Sequence, residues 1–233
     1  MRLAKFIAHC GVCSRRSAEK IINSGRVEIL GERVQSLATN VEEDAKVYLD
    51  GKLLKYQSLA RLWLYYKPVG LVTTHNDPQN RKTVFESLPN YMPRVISVGR
   101  LDINSEGLLL LTNSGALARK LENPRNKIER CYKVRVRGNG TPIHITDKKL
   151  FIEGVHYRPK LIAKTSVKSL NNAHNSWYEV VLTEGKNREI RKIFEHYGYQ
   201  VNRLIRTSFG LYSLERLKPG EIKEVKIYEN YFR

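Results

Sequence analysis

At 233 residues the chain exceeds the roughly 100–200 that favour one compact domain, so one large or two unequal domains are expected. An apolar content of 41% supports a core, no apolar run reaches the roughly 18 residues of a membrane-spanning helix, and three cysteines are too few for a disulfide framework. The 41 Lys and Arg against 23 Asp and Glu give a formal charge of +18, a field that favours a polyanion as partner.

The segment Met1-Arg2-Leu3-Ala4-Lys5 opens an amphipathic pattern rather than a signal-peptide core, which makes cytoplasmic the expected location. Leu3, Phe6 and Ile7 have the i, i+3, i+4 spacing of a short helix that stops at Gly11. Ser14 is a good N-cap for a second helix, Ala18, Ile21 and Ile22 form its inner face, and Gly25 stands where a terminating glycine belongs. Cys10 and Cys13 form a C-x-x-C with only His9 nearby, so they read as small buried hydrophobes rather than zinc ligands, and no metal site is expected. Val27-Glu28-Ile29 alternates as a strand, Gly31 turns the chain, Val34 restarts it, and Lys46–Leu49 closes the module. Arg15, Arg16, Lys20 and Arg26 cluster around the second helix, either as phosphate donors or as a solvated basic face. Residues 1–50 hold eight basic and seven acidic residues, leaving 33 and 16 for the remainder, so a polyanion must also run over the larger domain. A polar linker is expected over 51–60 and a larger domain over 61–233.

The larger domain begins with the strand-like run Leu62–Tyr66, is punctuated by Lys67-Pro68-Val69-Gly70, and resumes as a strand at Leu71–Thr74. Further strands are expected at Val95–Val98, Leu108–Leu111, Tyr132–Arg137, Lys160–Val167, Trp177–Leu182 and Glu221–Tyr228. Helices are expected at Ser114–Leu121 and Asn187–Tyr197. Strands outnumber helices without alternating regularly with them, which predicts an α+β fold on a mostly antiparallel or mixed sheet with flanking helices.

The most informative stretch is Gly99-Arg100-Leu101-Asp102-Ile103-Asn104-Ser105-Glu106-Gly107 before the four leucines 108–111 and Thr112-Asn113. A loop with a charged pair, backed by a strand apolar on both faces, is a good platform for a site. Taken alone, an aspartate in a polar loop more often caps or closes a turn than it does chemistry.

The pattern G-R-L-D-x-x-S-x-G-L-L-L-L-T-N resembles the active-site motif of pseudouridine synthases, in the branch that modifies ribosomal RNA at single sites. Tyr66-Lys67-Pro68-Val69-Gly70 resembles that branch's N-K-P-x-G, with Tyr66 in place of Asn. Glu129-Arg130-Cys131-Tyr132-Lys133-Val134 resembles its E-[K/R]-x-Y-x-V, and 184–192 resembles E-G-K-N-R-Q-I-R-R with Glu189 in place of Gln. The N-terminal module resembles the S4-like RNA-binding domain that accompanies this branch, with Leu30-Gly31 where Asn-Gly is usual. Within it, Asp77-Pro78, 81–85, Leu88-Pro89, Val98-Gly99 and Glu129-Arg130 are closest to the RluB-like synthases of large-subunit 23S rRNA, and the RsuA-like synthases of 16S rRNA are the runner-up.

The resemblance implies conversion of a uridine in ribosomal RNA to pseudouridine without cofactor, by an enzyme for which nothing demands more than a monomer. It implies Asp102 as nucleophile or base, Tyr132 as the active-site tyrosine and Arg191 as ion-pair partner of the aspartate. The bland alternatives are a core tyrosine at 132 and a surface pair of Arg191 with Glu195. Arg100 is expected to help flip the nucleotide or to hold a phosphate, and with Lys67 and Arg188 it joins Arg15, Arg16, Lys20 and Arg26 as an expected RNA contact. A non-catalytic ribosome-assembly protein would share the charge and the first module; a metal-dependent nuclease would need more carboxylates than Asp102 and Glu106.

Overall fold

The computed structural model describes residues 1–138, 143–165 and 175–228. The chain divides into two compact units, one made of 1–61 with 89–96 and 112–115, the other of the remaining segments from Leu62 onward.

In the first unit, helices α1 (Leu3–His9) and α2 (Arg15–Asn23) bury Leu3, Phe6, Ile7, Ala18 and Ile22 in one core with Val27, Val41 and Val47. Ser14 caps α2 by accepting from the Ser17 N–H at 3.1 Å, and Gly25 follows its end at φ +69°. Cys10 and Cys13 are half-buried against this core. Strands β1 (Val27–Ile29), β2 (Glu32–Val34), β3 (Val47–Leu49) and β4 (Lys52–Leu53) form a sheet in the order β2-β1-β3-β4. Two tight hairpins close it. Both residues of each turn have positive φ, Leu30-Gly31 in one and Asp50-Gly51 in the other. Such turns favour Asn-Gly or Asp-Gly, so Leu30, exposed and left-handed, is the costly member.

The expected linker over 51–60 needs correction. Lys52–Leu53 is a strand, the Leu54 N–H donates to Val47 O at 2.8 Å, and Tyr56 stacks on Phe6 with ring centres 5.2 Å apart. This stretch is polar in composition but anchored by backbone pairing and one aromatic ring.

The second unit is built on a ten-stranded mixed sheet. Its strands are β5 (Leu62–Lys67), β6 (Ile96–Val98), β7 (Glu106–Thr112), β8 (Arg130–Gly138) and β9 (Ile145–Thr146), then β12 (Leu161–Lys164), β13 (Asn175–Leu182), β14 (Tyr199–Phe209), β15 (Tyr212–Ser213) and β16 (Ile222–Val225). A separate hairpin pairs β10 (Leu150–Ile152) with β11 (Val155–Tyr157). The main order is β16-β5-β7-β14-β8-β13-β12-β9, with β6 beside β7 and β15 beside β14. Helices α3 (Gly115–Glu122) and α4 (Glu189–His196) complete the α+β architecture.

Strand β7 is buried along its whole length, as the four leucines predict. It runs parallel to β14, with Gly107 opposite Arg206. A Cβ at Gly107 would lie 2.3 Å from the Arg206 carbonyl oxygen, and φ there is +107°, so the strand crossing requires glycine.

The strands depart from the sequence reading in places. Leu71–Thr74 makes only a single bridge, Val72 to Thr83. The end of the strand expected over Lys160–Val167 falls on 166 and 167, outside the described residues. The longest strand, β14, was not expected at all; register shifts between Val201 and Arg203 and between Arg206 and Ser208 interrupt its alternation, and its arginines hide the apolar pattern.

Candidate active site

The loop between β6 and β7 carries Asp102, and every carbonyl from Leu101 to Ser105 is engaged. Leu101 O accepts from Thr73 Oγ1 at 2.8 Å, Ile103 O from the Gly70 N–H at 2.8 Å, and Asn104 O from Arg191 Nη2 at 3.0 Å. Lys67 Nζ donates to Asp102 O at 3.1 Å, to Ser105 O at 2.8 Å and to Pro68 O at 3.0 Å. The loop is therefore fixed through its backbone. Among the described residues no side chain donates to the Asp102 carboxylate, which is partly exposed on the wall of a cavity of about 520 Å³.

Lys67 corrects an expectation. It is fully buried, so its ammonium cannot reach an RNA phosphate; it spends its three N–H groups on three carbonyls instead. Burial pushes its pKa down to about 8, against the opposing attraction of Asp102 and Glu106.

Arg191 is also buried, at 9% exposure. Its Nη1 donates to Val201 O and its Nη2 to Asn104 O, both at 3.0 Å. Among the described residues it makes no ion pair with Asp102 within 4.0 Å, so the expected direct contact is replaced by a grip on the loop two residues further on. The charge of Asp102 is still felt there, opposing the lowering of the Arg191 pKa that burial and Arg188 cause. The alternative surface pair with Glu195 does not form; Glu195 approaches Arg188, at 4.0 Å. Two buried cations thus stand within electrostatic reach of Asp102 without occupying its oxygens.

Tyr132 lies on β8 opposite Val180 and Arg206, 8% exposed, on the same cavity wall as Asp102 and Arg191. Arg100 and Arg188 are exposed on the cavity's lining. In the first unit Arg15, Arg16 and Lys20 are exposed, while Arg26 makes a two-pronged pair with Asp50 at the surface.

Two further arginines line the cavity without having been singled out. Arg130 donates Nη1 to Ile128 O and Thr183 O, and Arg206 donates Nε to Leu108 O at 2.7 Å. Their guanidinium groups lie 4.6 and 5.3 Å from the centre of the Phe209 ring. Beyond the cavity lining, Tyr66 uses the room its larger side chain takes to donate to Glu106 Oε2 at 3.2 Å, beside the Arg203–Glu106 ion pair.

The family profile described as RNA pseudouridylate synthase matches residues 61–196, and the S4 domain profile matches 1–47. The chain belongs to the RNA pseudouridylate synthase family. A Rickettsia bellii protein named as an uncharacterized RNA pseudouridine synthase is 55% identical over 98% of this chain and 99% of its own length. The Yersinia pestis protein named ribosomal large subunit pseudouridine synthase B is 41% identical over 94% of this chain and 70% of its own. A crystal structure of a pseudouridylate synthase has the same fold, with a TM-score of 0.63 at 24% identity, covering 97% of this chain and 96% of that one. In this pseudouridine synthase an S4 domain thus precedes the catalytic region, and the Asp102 loop lies within the matched segment. Among the described residues, no helix is long and apolar enough to cross a membrane.

Proposed function

We propose that the protein isomerises a uridine of large-subunit ribosomal RNA to pseudouridine, with Asp102 starting the reaction. The observation that carries this reading is a carboxylate whose oxygens no side chain occupies among the described residues, on a loop whose five carbonyls, 101–105, are all tied down. A fixed backbone with an unoccupied carboxylate suits nucleophilic or basic attack, since no hydrogen bond must break first. The isomerisation breaks N1–C1′, joins C5 to C1′, and moves one proton from C5 to N1, so atoms balance within the nucleotide.

A uridine in structured RNA must leave its stack to enter such a cavity, at a cost of about a few kcal/mol. Arg100 and Arg188 at the cavity, and the exposed Arg15, Arg16 and Lys20 of the S4 domain, would offset that cost by gripping backbone phosphates. Tyr132 would stack on the uracil and receive or relay the C5 proton. Arg191 would hold Asn104, and through it Asp102, in register, with no redox or nucleotide cofactor needed. The Yersinia pestis relative's name supports the large over the small subunit as substrate.

Purified protein incubated with 23S and 16S transcripts tests the reading, with pseudouridine mapped by reverse transcription after carbodiimide treatment. One modified position in 23S RNA is expected with wild type, and none with Asp102→Ala although that variant still binds. Wild type that binds both RNAs and modifies neither would overturn it.

A further inference from the structure

Two carboxyl groups meet on the cavity wall. Glu184 lies just beyond the end of β13, and Glu189 is the first residue of α4. Glu184 is well served: its Oε1 accepts from the Arg158 N–H at 2.9 Å and its Oε2 pairs with Lys186 Nζ at 2.8 Å. Glu189 is 3% exposed, and its Oε2 accepts from the Lys186 N–H at 3.0 Å. Its Oε1 is buried, and among the described residues no donor reaches it. Both line the same cavity wall, and the charge of Glu184 is felt at Glu189.

A buried carboxyl oxygen with no donor, beside a second carboxylate, is the position a proton would take. One group then donates and the other accepts, and a single negative charge remains to be stabilised. Glu189 is the donor, because Glu184 already has its cation and the buried Glu189 Oε1 has no donor among the described residues. The charged groups facing Glu189 are Glu184 and Lys186 from the preceding loop and Arg130 from β8. Burial first, and then the Glu184 charge, push Glu189 up to about 8, against opposition from the Lys186 N–H and ammonium. Glu184, although burial pushes it up, is held below its ordinary value by hydrogen bonds from Lys186, Glu189 and the Arg158 N–H.

We propose that Glu189 is a positioning residue that works in its protonated form, donating to Glu184 and fixing the start of α4, so that its ionisation loosens the helix and shuts the site off at alkaline pH. The coupling runs through α4 itself. Arg188 precedes Glu189 and Arg191 follows it by two residues, and Arg191 holds the Asn104 carbonyl of the Asp102 loop. Two facing carboxylates inside a cavity wall repel, and because Glu189 stands in the first turn of α4 that repulsion acts on the start of the helix. This inference rests on the pseudouridine-forming reading of the cavity.

Glutamine at 189 would make the same donation without titrating. Single-turnover pseudouridine formation is compared for wild type and Glu189→Gln from about pH 6 to 9, alongside a carboxyl-carbon NMR titration of protein labelled at glutamate. The ratio of the two rates cancels any titration common to both proteins. Wild type should fall about tenfold relative to the variant by pH 9. One glutamate carbon should titrate near the alkaline range and vanish in the variant. Superimposed rate profiles, or every glutamate titrating in its ordinary range, would overturn the proposal. Should Glu189→Gln not fold, Glu184→Gln serves, and it should move that same resonance to lower pH. A wild type that forms no pseudouridine at any pH sinks the functional reading instead, while the titration still judges the carboxyl pair.

Discussion

The S4 unit and the catalytic unit use the same cationic residues in opposite ways. In the first, Arg15, Arg16 and Lys20 stand in solvent, and Arg26 pairs only with a surface aspartate. In the second, Lys67, Arg130, Arg191 and Arg206 are 0–9% exposed and donate to backbone carbonyls. An exposed cation acts on a polyanion through the field, is screened by salt, and can be exchanged with modest loss. A buried one cannot act that way; it fixes the geometry of the chain it bonds to, and losing it strands the carbonyls it served. Net charge alone therefore overstates the RNA-binding surface, because part of it is structural.

Substitutions should separate the two sets. Arg191→Met should lower the single-turnover rate by about 100-fold or more, since a misplaced catalytic group commonly costs that much, while RNA affinity measured by filter binding stays within about threefold. A pH effect of intermediate size should follow from Lys67. Its pKa is depressed to about 8 in the folded protein, so it loses a proton as pH rises through that value. A neutral amine has two N–H groups for three carbonyls, and the Asp102 loop loosens. On a Glu189→Gln background, which removes the other alkaline titration, the rate should still fall about fivefold between pH 8 and 9. The linkage to stability has the opposite sign. A base with a lowered folded pKa gains relative stability as pH rises from about 8 towards its unfolded value and loses it as pH falls back through 8, so thermal unfolding followed across that window should not track the loss of activity.

Replacing Arg15, Arg16 and Lys20 together by Ala should weaken RNA binding about tenfold. It should also reduce the slope of log affinity against log salt by about 2, at about 0.7 per single-stranded phosphate contact. At saturating RNA the rate should be unchanged. Arg26→Ala should have the smallest effect, with no resolvable change in the thermal midpoint, because its pair with Asp50 is exposed to water.

Much of the site was legible in the sequence because its loop is written in consecutive residues. Gly99 to Gly107 form one segment, and the glycine at 107 has a steric reason that the strand crossing reveals. The α4 segment was legible in the same way, from Ile190, Ile193 and Phe194 on one face. Burial of cations was not, since Lys67 in a turn-like K-P-V-G reads as an exposed lysine until the carbonyls around it are known. Strand β14 escaped because Arg203 and Arg206 bracket Leu204-Ile205 and two register shifts break its alternation. The Asp50-Gly51 hairpin carried a good turn signal, but the polar residues after it pointed to a linker.

The account rests on the buried cations acting through the loop backbone, and Lys67→Met tests this most directly. Methionine keeps most of the volume and removes all three donated hydrogen bonds, leaving carbonyls unmet at about 1–3 kcal/mol each. Single-turnover pseudouridine formation and RNA affinity are measured on the same preparation, below its unfolding temperature. The account predicts a rate lowered by about 100-fold or more with affinity within about threefold of wild type. An affinity lost as severely as in the triple S4-domain variant, with the rate at saturating RNA intact, would contradict it.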